Sequence, residues 1–154
     1  AGDMLPTREA RAEGFDGVLY VDAATQRYVE EFSTANFVGI KDGVYVTPDT
    51  PSILPSITNR SLMELAADEG MAVERRKVAV EELAEFDEVA ACGTAVVMSP
   101  VGSITRGGRV VYESKVRGLG PKLEMLKARL LRIQFGEEPD KFGWLTPVLM
   151  DETT

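Results

Sequence analysis

Two apolar runs, Asn36 to Ile40 and Val44 to Thr47, meet at Asp42-Gly43, and this constrains the chain more than any other feature. Both turn residues tolerate positive φ, so the spacing predicts a tight β-hairpin. Three prolines then fall between Pro48 and Pro55, and that segment cannot be regular structure. A helix follows over Thr58 to Glu69. Thr58 is placed to cap it, Leu62, Leu65 and Ala66 make one apolar face, and Gly70 stops it. A hairpin, a proline-rich loop and a helix in this order call for a layered domain with a sheet in it.

The rest of the chain adds strands on either side. Gly17 to Asp22 and Arg27 to Phe32 read as strands after a helix-like Met4 to Glu13. Met71 to Val78 reads as a strand and Val80 to Glu85 as a short helix. Glu88 to Ala91 reads as a buried strand that turns at Cys92-Gly93-Thr94 and resumes through Val96 to Met98. Val101 to Ile104 and Arg109 to Tyr112 flank a hairpin turn. Pro121 to Gln134 is a long amphipathic helix, and the tail after Gly136 is irregular and carries Trp144. The expectation is one mixed α/β (α+β) domain over 1–154, with a strand-rich, barrel-like sheet, closed or nearly so, flanked by helices.

Composition removes several kinds of function. The 154 residues include no histidine, the commonest general base and metal ligand, so a Ser-His-Asp hydrolase and a His-bound metal site are excluded. A net charge of −8 disfavours nucleic acid and anionic membranes as main partners. No apolar run approaches the roughly 18 residues a membrane span needs. Cys92 is the single cysteine, so no internal disulfide forms and a reducing cytoplasm is the expected compartment. Cys92 itself reads as a small buried residue.

Three places carry chemistry. Glu30 and Glu31 are adjacent on a strand, so one of them points inward and needs a positive or protonated partner. A pyridinium nitrogen supplies one. Ser56-Ile57-Thr58 opens a helix, where unpaired N–H groups and the positive dipole end favour a phosphate. Gly93-Thr94-Ala95 sits between apolar strands, where successive N–H groups can converge on an anion. Taken singly, each has an ordinary structural explanation: a solvated charge, an N-cap, a β-bulge.

Their order is what matters. Glu31, Ser33, Asn36, Thr47 and Leu54-Pro55-Ser56-Ile57-Thr58 together resemble the pattern of the class IV aminotransferases, which include branched-chain aminotransferases, D-amino acid aminotransferases and aminodeoxychorismate lyases. The resemblance runs from Leu5-Pro6-Thr7-Arg8-Glu9-Ala10 to Phe142-Gly143-Trp144-Leu145. It implies pyridoxal 5'-phosphate as cofactor, with Glu31 at the pyridine nitrogen, Ile57, Thr58 and Thr94 at the phosphate, and Thr94 and Ala95 at the substrate carboxylate. Ile53-Leu54-Pro55-Ser56-Ile57-Thr58 and the stretch Ile133-Gln134-Phe135-Gly136 through Trp144 are most similar to the branched-chain enzymes. That implies transfer of the amino group of leucine, isoleucine or valine to 2-oxoglutarate, by a homodimer acting on amino acid and 2-oxo acid substrates.

The chain also departs from the pattern. Val38 stands where an aromatic is usual and Asn59 where a basic residue is usual. A Cys-x-x-Cys known in some members would fall on Val96 and Ser99. The family's covalent lysine aligns a few residues before Ala1, and Lys41, Lys77, Lys115, Lys122, Lys127 and Lys141 all lie in other contexts. The chain therefore reads as a C-terminal cofactor-binding domain whose lysine and small N-terminal domain lie outside it, inactive alone. A non-catalytic binding module is the reading from another class.

Overall fold

A computed structural model describes residues 4–148; the opening Ala1-Gly2-Asp3 lies outside the described residues. The chain runs α1 (Met4–Ala12), β1 (Leu19–Val21), β2 (Tyr28–Phe32), β3 (Ala35–Lys41), β4 (Val44–Pro48), α2 (Ile57–Asp68), β5 (Val73–Arg76) and β6 (Val78–Ala79). A 3₁₀ turn (Val80–Glu85) follows, then β7 (Glu88–Gly93), β8 (Val97–Pro100), β9 (Ser103–Arg106), β10 (Arg109–Glu113) and α3 (Pro121–Gln134). The β3–β4 turn is the tight hairpin expected, with Asp42 at φ 50° and Gly43 at φ 79°.

Strand β3 is the spine of the main sheet. Strand β7 pairs along one edge, from Asn36↔Cys92 to Ile40↔Glu88. The other edge is shared: β2 takes Ala35 and Asn36, and β4 takes Gly39 to Lys41. The sheet therefore forks. One branch continues to β5, parallel to β4, and the other to β1 and β6. This is an open, forked sheet and not the closed or barrel-like one expected. Among the described residues β5 pairs only with β4, and β8 only with β7.

Side chains alternate across β3, and each face buries its own core. Val38 and Ile40 face α2 and α3 with Tyr45, Leu62, Leu65, Ala90, Leu123, Leu126 and Leu130. Phe37 faces the other way with Val29, Val46, Val78, Leu83, Phe86 and Val89, beneath the separate β9–β10 hairpin. Gly39 is required on that second face. A Cβ there would lie 2.5 Å from the Phe86 ring and 2.9 Å from the Glu88 carbonyl oxygen.

The strand expected over Met71 to Val78 is two strands. Its first part pairs with β4 until Pro48, which has no N–H, and after Lys77 the chain crosses to β2. Phe142 and Trp144 in the irregular tail stack at 4.4 Å against the helix-side core.

Candidate functional site

Register places the site at one end of the sheet. Glu31 on β2 lies opposite Asn36 on β3, and Asn36 lies opposite Cys92 on β7. At about 4.8 Å per strand, the Glu31 and Cys92 backbones are roughly 10 Å apart. Residues opposite one another share a face, so Glu31 points to the helix side with Asn36 and Cys92, while a register irregularity against β1 lets Val29 and Phe32 both reach the other core. The inward carboxylate of the pair is thus Glu31.

That carboxylate is half-buried and held on one oxygen. The Asn36 side-chain amide donates to Oε2 at 3.1 Å, and the Leu54 backbone N–H donates to the same oxygen at 3.2 Å. Asn36 also donates to the Leu54 carbonyl at 3.0 Å, which closes a ring between the sheet and the proline-rich loop. Oε1 meets no donor among the described residues. Leu54 is three residues from Ile57, so the carboxylate and the start of α2 lie within about 15 Å.

The helix begins one residue earlier than its sequence indicates, and its cap lies two residues earlier. Ser56, not Thr58, is the N-cap, and its hydroxyl accepts from the Asn59 N–H at 3.1 Å. Polar Thr58 imitates a cap in sequence, but Ser56 holds the extended backbone a cap requires (φ −80°, ψ 126°). Ile57 and Thr58 then occupy the first two helical positions, where no carbonyl lies four residues back inside the helix. Among the described residues their amides meet no acceptor, and Ile57 is 70% exposed. Cys92 beside Ser56 is buried and free, and burial pushes its thiol up to about 12, so Cys92 is an inert packing residue as expected.

The third component is a turn next to Cys92. Strand β7 extends through Gly93, so the turn is Thr94-Ala95-Val96, all exposed. A left-handed residue falls just after it at Val97 (φ 61°), and Met98 N–H closes back on the Val96 carbonyl at 2.7 Å. A Cβ at Gly93 would meet only ordinary contacts at 3.8 Å or more. Glu31, Ile57, Thr58, Thr94 and Ala95 are therefore brought to one end of one sheet.

Buried polar groups beneath this end form a relay. The Tyr45 hydroxyl donates to Asn59 Oδ1 at 2.8 Å, Asn59 Nδ2 donates to Thr47 Oγ1 at 3.0 Å, and Thr47 Oγ1 donates to the Phe37 carbonyl at 2.9 Å. Phe37 sits at the fork of the sheet, just past the last rung to β2 and before the first to β4, so Thr47 supplies the partner its carbonyl lacks. Sequence reasoning passes over Tyr45 and gives Asn59 no part in the chemistry. The available signal is a polar residue on the same helical stripe as Leu62, Leu65 and Ala66.

Such an arrangement suits a flat ligand with a cationic edge and an anionic tail. One end offers a free carboxylate oxygen and the other offers unpaired N–H groups. No group of three His, Cys, Asp or Glu among the described residues could hold a metal ion. The six lysines all lie elsewhere, five of them engaged with a partner. Lys41 pairs with Glu82 and Glu85, Lys115 with Asp87 and Lys141 with Asp68; Lys127 donates to the Met98 carbonyl, Lys77 lies over the Tyr28 ring, and Lys122 lies near Gly43.

Comparison with known proteins shows the family and the fold. The family model for amino-transferase class IV matches residues 1–104. Branched-chain-amino-acid aminotransferase 5, chloroplastic, of Arabidopsis thaliana is 44% identical over 137 residues, covering 88% of this chain and 32% of that protein. The branched-chain amino acid aminotransferase from Escherichia coli superposes with a TM-score of 0.79 at 33% identity, over 94% of this chain and 47% of that one. A T.th. branched-chain amino acid aminotransferase, complexed with N-(5'-phosphopyridoxyl)-L-glutamate, superposes with a TM-score of 0.80 at 31% identity, over 94% and 46%. The chain thus spans about a third of the curated relative and under half of the solved structures. With its family model matched over residues 1–104 and its fold reproduced in these enzymes, the chain belongs to the class IV aminotransferases.

Proposed function

We propose that this chain is the C-terminal, cofactor-holding domain of a branched-chain amino acid aminotransferase. The full enzyme moves the amino group of leucine, isoleucine or valine to 2-oxoglutarate with pyridoxal 5'-phosphate. The observation that carries the reading is the half-engaged Glu31 carboxylate on the same sheet end as the open amides of Ile57 and Thr58. When bound, the cofactor supplies a protonated aromatic ring that takes up the electron pair left at the substrate's α-carbon.

The chain's own residues bind and orient. Glu31 Oε1 keeps a proton on the ring nitrogen, while Asn36 and the Leu54 amide hold the carboxylate in place through Oε2. Ile57 and Thr58 bind the phosphate through N–H groups and the Thr58 hydroxyl, with Thr94 beside them. The Thr94-Ala95 turn receives the substrate carboxylate. The proton transfers fall to a lysine outside this chain, which matches the engagement of five of its six lysines elsewhere and the place of the sixth, Lys122, near the β3–β4 turn.

Exposed Leu54, Ile57 and Val96 support coverage of this end by the remaining domain and by a second subunit, in a homodimer. A buried, free Cys92 fits a reducing cytoplasm. Among the described residues no helix is long and apolar enough to cross a membrane.

Glu31→Gln in the full-length protein tests this. Turnover of L-leucine with 2-oxoglutarate is expected to fall by about 100-fold or more, with the melting temperature little changed. Unaltered turnover overturns the role of Glu31. A wild type active on D-alanine but not L-leucine overturns the branched-chain reading in favour of a D-amino acid aminotransferase.

A further inference from the structure

We infer that Asn59 is a positioning residue, which fixes the phosphate-binding start of α2 to the fork of the sheet through the buried relay of Tyr45, Thr47 and the Phe37 carbonyl. The inference rests on the reading above that Ile57 and Thr58 hold a phosphate. Three observations support it. Asn59 is only 7% exposed and occupies the first place on the buried stripe that continues with Leu62, Leu65 and Ala66, where an apolar residue would pack as well. Each polar atom of its side chain has a partner on β4: Oδ1 accepts from Tyr45 and Nδ2 donates to Thr47. Its backbone N–H meanwhile completes the Ser56 cap, so one residue joins the cap, the helix and two strands.

The segment before α2 cannot do this alone. Residues 49–56 form no strand or helix, Leu54 is 70% exposed, and the preceding prolines donate no N–H. Besides the core packing of Leu62 and Leu65 further along, the helix start has two polar footholds, the Leu54 bonds to Glu31 and Asn36 just before it and the Asn59 relay. The relay is the stronger, because its groups are buried and each bond broken leaves an unpaired partner. Holding the amides of Ile57 and Thr58 at a set height above β3 is what a phosphate tethered to a ring at Glu31 requires.

The test is discrimination between pyridoxamine 5'-phosphate and pyridoxamine, measured as the ratio of their dissociation constants in the full-length protein. Asn59→Leu keeps the volume and removes both relay bonds, and Tyr45→Phe removes one hydroxyl. The expected result is a fall in affinity for the phosphorylated form of about tenfold in Asn59→Leu and about threefold in Tyr45→Phe, with pyridoxamine itself bound as before. A purely structural role lowers the melting temperature and leaves the ratio unmoved. A wild type that prefers the phosphorylated form, with variants that keep that preference, overturns the inference alone. A wild type with no preference overturns the phosphate reading as well.

Discussion

Among the described residues two long helices, α2 and α3, begin against the same sheet face, and their starts are handled in opposite ways. At α3 the amides of Lys122 and Leu123 donate to the buried carboxylate of Glu88, at 3.1 and 2.8 Å. Gly120 makes room for it, since a Cβ there would lie 2.2 Å from the Glu88 side chain. At α2 the cap is the small neutral hydroxyl of Ser56, and the amides of Ile57 and Thr58 are left open. Each helix start carries about half a positive charge. The chain supplies its own anion to one and leaves the other without, which is the contrast on which the proposed phosphate site at α2 rests. The far end of α2 follows the opposite logic. Arg129 sets a cation against it through Asp68 and Glu69, at 2.7 and 2.6 Å.

Removing the internal anion is the strongest way to break this contrast. Glu88→Ala leaves two amides under α3 without an acceptor and is expected to cost about 2–4 kcal/mol in urea unfolding. The ratio of phosphorylated to unphosphorylated ligand affinity should not move, because Glu88 lies at the opposite end of β7 from Cys92 and Gly93. A change in that ratio would mean the two helix starts are not independent. The converse substitution gives α2 an anion of its own. Ser56→Asp preserves the cap and gains about 0.5 kcal/mol from the dipole, yet places a charge where the phosphate should sit. Affinity for pyridoxamine 5'-phosphate should fall by about tenfold. A variant that binds it as well as wild type would show that the open start of α2 is not the anion site.

What the sequence reveals, and what it conceals, follows from the range of each interaction. Asp42-Gly43 announces its hairpin because the backbone conformation is a property of those two residues. Strand alternation requires one of Glu30 and Glu31 to face inward, but which one depends on the register of β2 against β3. The apolar runs locate the strands. They are silent on closure, because β3 divides one edge between β2 and β4, and such a fork leaves no mark on local periodicity. Thr58 passes for the cap because capping residues are recognised by type, whereas the cap is fixed by φ and ψ, which Ser56 satisfies. Glu88 reads as the polar start of a strand, and its partners lie 34 and 35 residues away. Asn59 is legible as an oddity on an apolar stripe, but the partners that explain it stand on another element.

The smallest of these effects sharpens the contrast at the opposite end of the helices. Glu138 accepts from Arg129 at 2.8 Å and from Arg132 at 3.1 Å, and these cations, Arg129 first, hold its carboxyl below the usual value. A carboxyl whose folded value is lowered stabilises the fold above its unfolded value, and that contribution disappears as pH falls through the folded one. Glu138→Gln removes the titration while Asp68 and Glu69 continue to hold Arg129. Wild type should therefore be slightly more stable than the variant at neutral pH, and urea midpoints for the two should converge below the ordinary carboxylate range. Curves that stay parallel down to acid pH would show that the gap at neutral pH is packing and not charge. They would also leave the charge pairing at the end of α2 to Arg129 and Lys141 with Asp68 and Glu69, without Glu138.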